Sequence, residues 1–464
     1  MHLKFVPIKR SPLTILVTIS TLILFFCSSL RHALFQSGAY DLGWFDQAVY
    51  LISRGQPPIV SFSGFHILGD HAAFIFYPLA ILYWIYPNVH WLFAVQALAL
   101  AGAAWPVWKL SVQAGLAERQ AWLVTLAYLL YPLVFNINLF DFHPEVLAVP
   151  ALLGAVLAAR SGRLLWFCLS VALALSCKAV LSLTVAAMGL WLLLFEKRRG
   201  YGAIALGGGV AWFLITTQLV IPQFSGGEAA AVGRYRYLGN SVLEIATNLI
   251  LKPNLVLGQL FSPGAIEYLA LLLIPVAWGL SWRHLAPLFP ALPQLTMNLL
   301  ADHPSMRNLV HQYSLPILPF LILAGIACLV DPQVKTWRRQ AILPLALVAF
   351  LALGKYGYFG SLYLSSLDSW QATRKAVALV TTDEPVLTTH GITTHLTHRS
   401  VIQFTIADSP PPDLTQYKYV LLDVRHPGWK SSSEFASQLV SQLKASPQFQ
   451  LRYHQDPVFL FIRR

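Results

Sequence analysis

The sequence is divided into a long succession of apolar runs, and this pattern limits the fold more than any other feature. A helix that crosses a membrane needs about 20 apolar residues, and we count about eleven candidate runs. They lie near residues 12–34, 89–109, 120–139, 145–160, 164–177, 179–195, 202–221, 265–282, 285–301, 313–330 and 340–356. Only 11% of the residues are charged, against about 25% in soluble proteins. The sequence therefore predicts a mainly α, polytopic transmembrane helical bundle.

The first run resembles a signal peptide, because Lys4, Lys9 and Arg10 precede it. No small-x-small cleavage site follows, and the run is long enough to span, so we interpret it as an uncleaved first transmembrane helix. The apolar stretch 72–87 is shorter and contains Pro78. We predict an interfacial or re-entrant helix there, not a span.

The basic residues between the runs define an orientation. If the N-terminus is cytoplasmic, every second loop is also cytoplasmic, and these loops contain one set of basic residues. This set is Lys109, Arg119, Arg160, Arg163, the stretch 196–199, Arg283, Lys335, Arg338 and Arg339. The distribution obeys the positive-inside rule, which predicts a multi-pass protein of the inner (cytoplasmic) membrane. Because the net charge of +12 is scattered in these small groups, a nucleic-acid partner is not expected.

The same parity places most acidic and histidine side chains on the outer face. The first outer loop, residues 35–88, contributes Asp41, Asp46, His66, Asp70 and His71. Later outer segments contribute Asp141, His143, Glu145, His311 and Tyr313, with the cations Lys178, Arg234, Arg236 and Arg307. Charged groups at a membrane boundary are costly unless they face water or each other. We therefore treat this set as candidate substrate-binding residues.

The stretch "GAYDLGWFDQAVY" holds two of these acids. Asp41 is placed to cap the helix predicted from Leu42. Asp46 lies about 140° further around that helix, at the edge of its apolar stripe. The two carboxylates therefore do not form one paired site on the helix. Either one of them faces a cleft, or they serve as a cap and a solvated edge.

The other polar clusters leave alternatives open. His66, Asp70 and His71 either line a cavity or, for Asp70, cap the next helix. Asp41, His71, Asp141 and His143 are the side chains that could bind a divalent cation such as Mg or Mn, although no metal-binding spacing such as HExxH occurs. Lys178 either snorkels or contacts an anionic headgroup or phosphate. The "LGGGV" at 206–210 lies inside a predicted span and indicates helix packing, not a phosphate loop.

The composition changes after about residue 360. "EPVLTTHGITTHLTHRSVIQF", "YKYVLLD" and "FQLRYHQDPVFLFIRR" are typical of strands. "SEFASQLVSQLKAS" has the spacing of an amphipathic helix. We predict a transmembrane domain over 1–359 and a small C-terminal α/β domain over 360–464, on the outer face.

The order of these features resembles the polytopic glycosyltransferases of the GT-C fold. Those enzymes place an essential acid in a first outer loop after the first transmembrane helix, with interfacial helices following it. More narrowly, the chain resembles DUF2079, a bacterial membrane family. The matching stretches are "YDLGWFDQAVY", "GDHAAFIFYPLAILYWIYP", "LFAVQALAL", "FDFHPEVLAVP", "HQYSLPILPF" and "PVLTTHGITTHLTHR". The family often has a Lys-Glu-Asp triplet where this chain has Lys178, Ala179 and Val180, so we expect altered specificity or reduced activity.

The resemblance implies an inverting transfer of a sugar from a polyprenyl-phosphate-linked donor to a glycan, lipid or protein acceptor of the cell envelope. Asp41 is then the first candidate for general base and Asp46 the second. Asp141 or Glu145 would orient the sugar or acceptor. The departing phosphate would be neutralised by one of Lys178, Arg234, Arg236 and Arg307.

Two other functions are compatible with the same topology. A transporter or flippase of a lipid-linked substrate would carry acids at several mid-span positions, whereas the acids here lie at one face. A non-catalytic membrane scaffold would leave the polar groups dispersed in space. Convergence of the outer-face residues therefore discriminates the enzyme from the scaffold.

Overall fold

The computed structural model describes residues 11–227, 230–409 and 412–464. The basic residues Lys4, Lys9 and Arg10 lie outside them. Up to residue 364 the α-helices are Pro12–Ala33, Trp44–Ser53, Leu68–His71, Phe76–Ile85, His90–Gly102, Ala104–Gln113, Glu118–Leu129, Pro132–Phe140, Glu145–Arg160, Leu164–Cys177, Leu181–Leu194, Arg199–Ile215, Ile221–Ser225, Val242–Leu251, Pro253–Leu260, Pro263–Leu273, Leu292–Leu300, Leu318–Val330, Thr336–Leu353 and Tyr356–Leu364. The mainly helical prediction is confirmed, and every predicted apolar run overlaps a helix.

Helix length separates these elements into two classes. In the described part of the chain, five helical stretches are long and apolar enough to cross a membrane: Pro12–Ala33, His90–Gln113, Glu118–Phe140, Arg199–Ser225 and Thr336–Leu364. Pro253–Leu260 and Pro263–Gly279 qualify only together, across a 51° bend. Other apolar helices, such as Leu164–Cys177, are shorter. The arrangement with about eleven spans therefore stays a prediction.

The stretch predicted to be interfacial forms the short helix Phe76–Ile85. Tyr83 is buried, against the Trp44–Ser53 helix. Ile81, Trp84 and Ile85 are exposed on the other side. Such a contiguous exposed apolar face requires an apolar environment, which agrees with a position at the membrane surface.

Two helices in the centre of the chain pack at backbone distance. A Cβ atom at Gly209 would lie 2.6 Å from the amide nitrogen of Ala186 and the carbonyl oxygen of Ser182. Gly202 is similarly close to the carbonyl oxygen of Gly189. Small residues allow helices to approach this closely, so the packing interpretation of "LGGGV" is confirmed.

The C-terminal residues contain a five-stranded sheet. Its strands, in spatial order, are Ile402–Phe404, Val386–Thr388, Tyr419–Asp423, Val458–Arg463 and Phe449–Gln455. The first three strands are parallel to one another. Val458–Arg463 is antiparallel to both of its neighbours, Tyr419–Asp423 and Phe449–Gln455. Helices Leu367–Ala378 and Ser433–Ala445 pack on opposite faces of the sheet through separate apolar clusters. The predicted strands and amphipathic helix are confirmed, except that a short helix, His390–Thr393, interrupts the first strand segment.

The sheet region packs directly on residues 35–88, where a two-stranded hairpin pairs Ile59–Val60 with Phe65–His66. Gln47 Nε2 donates to the carbonyl of Arg399 at 3.0 Å. Ser61 Oγ donates to the carbonyl of Ser400 at 3.1 Å. The C-terminal residues therefore help to shape the surface that carries Asp41 and Asp46.

Candidate functional site

Asp41 lies in a π-helical turn, Ala39–Gly43, between the first helix and the Trp44–Ser53 helix. Its Oδ1 is 3.2 Å from His143 Nε2, and 33% of its side chain is exposed. The predicted capping role is wrong, because no side chain caps this turn or the following helix. The π-turn directs the Asp41 carboxylate toward His143 instead.

The charges around Asp41 favour its ionised form. Burial raises the pKa of the carboxyl, but the hydrogen bond and positive charge of His143 outweigh that effect and lower it. The pKa of His143 is raised, because Asp41 outweighs the opposing effect of burial. Burial lowers the pKa of the nearby His311 to about 4. Asp41 is therefore a carboxylate at neutral pH, with His143 as its main partner.

Asp141 secures the backbone beneath this turn. Its Oδ1 is 2.8 Å from Arg31 Nη1, and its Oδ2 accepts from the amide of Gly38 at 2.8 Å. Both charged side chains are buried. A buried ion pair of this kind fixes geometry, because breaking it would leave an uncompensated charge. Asp141 therefore positions the Asp41 turn, and its carboxylate is already occupied.

Asp46 has a different environment. Only 1% of its side chain is exposed. Tyr83 and Thr397 donate hydrogen bonds to it, and His398 Nε2 lies 3.2 Å from Oδ2. The solvated-edge alternative is therefore wrong. Of the two acids in "GAYDLGWFDQAVY", Asp41 is the one with a partly exposed carboxylate.

A cavity of about 430 Å³ lies among the helices. Most of its wall is apolar, with Leu183, Phe213, Ile245 and Leu249 among the lining residues. Its polar residues include Asp70, His71, Glu145, Lys178, Arg234, Gln312 and Tyr313. We call this space the polar-ended cavity. It has the composition of a site for an amphipathic ligand.

Lys178 lies in the break between the helices Leu164–Cys177 and Leu181–Leu194, where its backbone is extended. The amide of the next residue, Ala179, donates to the carbonyl of His71 at 2.8 Å, which joins the break to the first outer loop. Lys178 Nζ is 2.7 Å from Glu145 Oε1, and the residue is 7% exposed. The snorkelling alternative is therefore wrong, and Glu145 already neutralises this cation.

Unlike Lys178, three polar side-chain groups in the cavity form no hydrogen bond with a nitrogen or oxygen atom of the described residues. Glu145 Oε2 and Gln312 Oε1 are buried and accept no hydrogen bond there. Arg234 contacts the sulfur of Met306 at 3.7 Å and the ring of Tyr313 at 5.0 Å, but forms no ion pair with a described carboxylate. Glu145 Oε2 and Gln312 Oε1 are therefore available as hydrogen-bond acceptors, and the half-buried Arg234 is available as a cation.

The cavity and the Asp41 turn are neighbours. His143, the partner of Asp41, precedes the cavity residue Glu145 by two positions, and His311 precedes the cavity residue Gln312. The Asp141–Glu145 segment therefore supplies His143 to the Asp41 turn and Glu145 to the cavity. Asp70, His71, Glu145, Lys178, Arg234 and Tyr313 therefore line one cavity, and Asp41 lies outside its lining.

Of the remaining predicted residues, His66, Arg236 and Arg307 do not line the cavity, whereas Asp70 does. His66 stacks on Phe224 with ring centroids 4.3 Å apart, and does not line the cavity. Arg307 Nη1 donates to Ser262 Oγ at 3.3 Å, while Arg236 is exposed. Asp70 pairs with His71 at 3.0 Å and does not cap a helix. These positions weaken Arg236 and Arg307 as phosphate ligands.

The four proposed metal ligands do not form one metal-binding arrangement. Asp41 pairs with His143, Asp141 pairs with Arg31, and His71 pairs with Asp70. Within the described ranges, no group of three or more His, Cys, Asp or Glu side chains has an arrangement that could hold a metal ion. Asp41, His71, Asp141 and His143 therefore do not form one Mg or Mn site.

Sequence reasoning missed several contacts of the two acids. Arg31, Tyr83, His390, Thr397 and His398 were not predicted as site residues, yet each contacts Asp41, Asp46 or the backbone around them. The available signal was the histidine-rich stretch "THGITTHLTHR" in the C-terminal region.

Comparisons with known proteins agree with this architecture. A family model described as "Predicted membrane protein (DUF2079)" matches residues 31–460. The crystal structure of ArnT from Cupriavidus metallidurans bound to undecaprenyl phosphate aligns with a TM-score of 0.56 at 12% identity. The apo structure of the same protein aligns with a TM-score of 0.53 at 13% identity. Both alignments cover 96% of this chain and 97% of the other. No curated protein matches. The alignments confirm a GT-C-like fold, and the fold alone.

Proposed function

Because the chain belongs to the DUF2079 family of predicted membrane proteins and has a GT-C-like fold, we propose that it is a membrane glycosyltransferase. It moves a sugar from a polyprenyl-phosphate-linked donor to an acceptor at the outer face of the cytoplasmic membrane. One observation carries the proposal: the partly exposed carboxylate of Asp41 contacts His143, two residues before Glu145, and Glu145 lines a largely apolar cavity together with Arg234, which has no ion pair among the described residues.

The cavity suits a lipid-linked donor. Its apolar wall would accommodate isoprenoid units, and Arg234 would bind the phosphate, because a guanidinium matches phosphate oxygens with paired donors. Lys178 is a weaker choice, since Glu145 already neutralises it. The occurrence of undecaprenyl phosphate in a protein of similar fold supports this assignment.

The sugar would lie near the unpaired acceptors Glu145 Oε2 and Gln312 Oε1. Both oxygen atoms are hydrogen-bond acceptors, so they would bind the hydroxyl groups of a sugar. Ala179 and Val180, which replace the acids often found in the family, also line this cavity. The loss of two carboxylates there would change which sugar the cavity accepts.

Asp41 is the proposed general base. Its Oδ1 is engaged by His143, which leaves Oδ2 to take the proton of the acceptor hydroxyl. The acceptor oxygen then forms a bond to the anomeric carbon as the bond from that carbon to the phosphate oxygen breaks. The phosphate leaves with the electron pair, and Arg234 stabilises its charge. Attack opposite the leaving group inverts the anomeric centre.

The direct test is a transfer assay with purified protein and radiolabelled polyprenyl-phosphate sugars. We expect transfer by the wild type and a loss of about 10²–10⁴-fold in Asp41→Asn, which retains the size of the side chain but not its basicity. Asp383→Asn, at an exposed position far along the chain, is the matched control and should retain activity. Full activity in Asp41→Asn would remove Asp41 from the base role.

A further inference from the structure

We propose that the segment 390–398 of the C-terminal region belongs to the catalytic site, and that His390 is the positioning residue that sets the Asp41 turn. Only the catalytic role of His390 rests on the proposed function; its contact with the turn does not. We call residues 390–398 the histidine segment. Its two ends contact the backbone around Asp41 and the side chain of Asp46, respectively.

His390 binds the beginning of the turn. The amide of Ala39, its first residue, donates to His390 Nε2 at 3.3 Å. The first amides of a helical turn have no partner within the turn, so this imidazole supplies the acceptor that would otherwise be missing. The adjacent Gly38 amide is held by Asp141. Two successive amides before Asp41 are thus fixed by side chains from distant parts of the chain.

The side chains of Asp41, Asp141 and His390 all lie close to Gly38. A Cβ atom at this position would lie 3.4 Å from three atoms: Oδ2 of Asp141, Oδ2 of Asp41 and Cε1 of His390. The imidazole therefore contacts the same backbone unit as both carboxylates. A displacement of His390 would move the turn and with it the Asp41 carboxylate.

His390 is itself held from the C-terminal side. Its amide donates to the carbonyl of Pro427 at 3.4 Å. Gly428, whose φ is +83°, approaches so closely that a Cβ there would lie 2.6 Å from His390 Cβ. The ring also packs edge-on against Phe404, with centroids 5.3 Å apart. The histidine is therefore a fixed support, and burial lowers its pKa to about 4, which keeps it a neutral acceptor.

The other end of the histidine segment holds the element that follows the turn. Thr397 donates to Asp46, and His398 contacts the same carboxylate at 3.2 Å. Asp46 is on the Trp44–Ser53 helix, which continues directly from the Asp41 turn. The turn is thus fixed at its start by His390 and just beyond its end by Thr397 and His398.

Backbone hydrogen exchange of the full-length protein in detergent tests the positioning without any assay of activity. We expect faster exchange of the amides of 38–46 in His390→Leu, with the sheet strands 386–388 and 419–423 unchanged. His390→Gln, which retains an acceptor, should restore slow exchange. His454→Leu, at an exposed strand position, is the control. Unchanged exchange in His390→Leu, or no restoration by His390→Gln, would overturn the proposal.

The catalytic part is tested by kinetics of the same variants. We expect kcat to fall about 10- to 100-fold in His390→Leu because of a misplaced base, with the KM for the donor unchanged and kcat largely recovered in His390→Gln. A rise in donor KM with unchanged kcat would contradict it. If the wild type transfers no sugar, the proposed function fails, while the exchange experiment still decides the role of His390 in the turn.

Discussion

At the scale of single residues, the two aspartates of "GAYDLGWFDQAVY" show how environment assigns different roles to the same side chain. Asp41 is partly exposed and has one titratable partner, His143. Asp46 is almost fully buried and receives hydrogen bonds from two hydroxyl groups beside His398. The first arrangement leaves an oxygen free for chemistry, and the second consumes the acceptor capacity of the carboxylate. The structure therefore favours Asp41 as the base and Asp46 as a support.

Asp46→Asn should separate these roles. The amide replaces one acceptor oxygen with a donor, which leaves a hydroxyl of Tyr83 or Thr397 without an acceptor in a buried position. An unsatisfied buried group costs about 1–3 kcal/mol, so we expect a lower midpoint of thermal unfolding in detergent. Asp41→Asn should unfold near the wild-type temperature, because its side chain is partly exposed. Equal midpoints for wild type and Asp46→Asn would contradict this role.

The pH dependence of transfer should follow from Asp41 and His143. The pKa of Asp41 is lowered, so the base is lost only as the pH falls below about 4, the usual range for an aspartate. The pKa of His143 is raised, so its charged contact with Asp41 is present once Asp41 is ionised, above about pH 4, and is lost as the pH rises beyond about 6.5. A profile of kcat/KM against pH checks both limbs. An acid limb near pH 7 would report protonation of Asp141, whose pKa burial raises to about 7, whereas an acid limb that is unchanged in Asp41→Asn would exclude Asp41 as the base.

The sequence predicted which charged residues converge better than it predicted their ion-pair partners. Asp41, Glu145, Lys178 and Arg234 were recognisable because charged groups are rare in this chain. Their pairing was not, since Lys178 with Glu145 and Arg31 with Asp141 join residues that are far apart in sequence. The alternatives for Lys178 assumed an isolated charge, and only the tertiary fold supplies its partner.

At the scale of elements, the helices were predictable because their signal is local. Apolar runs determine where helices form, whatever their neighbours are. The strands of the C-terminal region are short, and the sequence placed them well except where His390–Thr393 interrupts one segment. The docking of that segment on the first outer loop depends on contacts between residues more than 300 positions apart, which no local pattern encodes.

The close packing of Leu181–Leu194 against Arg199–Ile215 can be tested with adjacent glycines. In Gly209→Ala the new methyl group would meet backbone atoms at 2.6 Å, and overpacking of this kind costs about 1–3 kcal/mol. Gly208→Ala is the matched control, because a Cβ there has no neighbour within 4 Å in the described structure. We expect only Gly209→Ala to lower the thermal midpoint. Equal midpoints would mean that the helices separate without cost.

At the scale of the whole molecule, parity of the apolar runs anticipated which residues would meet. Asp70, Glu145, Lys178, Arg234 and Tyr313 come from separate stretches of the chain and line one cavity. Parity could assign a face but not a position on it, which is why Arg236 and Arg307 were predicted with this group and lie outside the cavity lining. The separation of the Asp41 turn from the polar-ended cavity was likewise not predictable, because it depends on how the helices pack.

The orientation of the site in the membrane is a prediction of the same argument. Glu145 begins a helix of 16 residues that ends at Arg160, which is about 24 Å long at a rise of 1.5 Å per residue, and Arg163 follows the end remote from the cavity. The positive-inside rule places Arg163 in the cytoplasm, and hence the cavity outside. The C-terminal sheet region, which packs beside Asp46, must then also be outside.

Cysteine labelling in sealed right-side-out membrane vesicles tests this orientation. Starting from a variant with its four cysteines replaced, Ser437→Cys reports on the exposed face of the Ser433–Ala445 helix, and Arg163→Cys on the opposite end of the bundle. A membrane-impermeant maleimide should label Ser437→Cys in intact vesicles and Arg163→Cys only after detergent is added. The reverse pattern would place the cavity in the cytoplasm, where a donor on the outer leaflet could not reach Arg234.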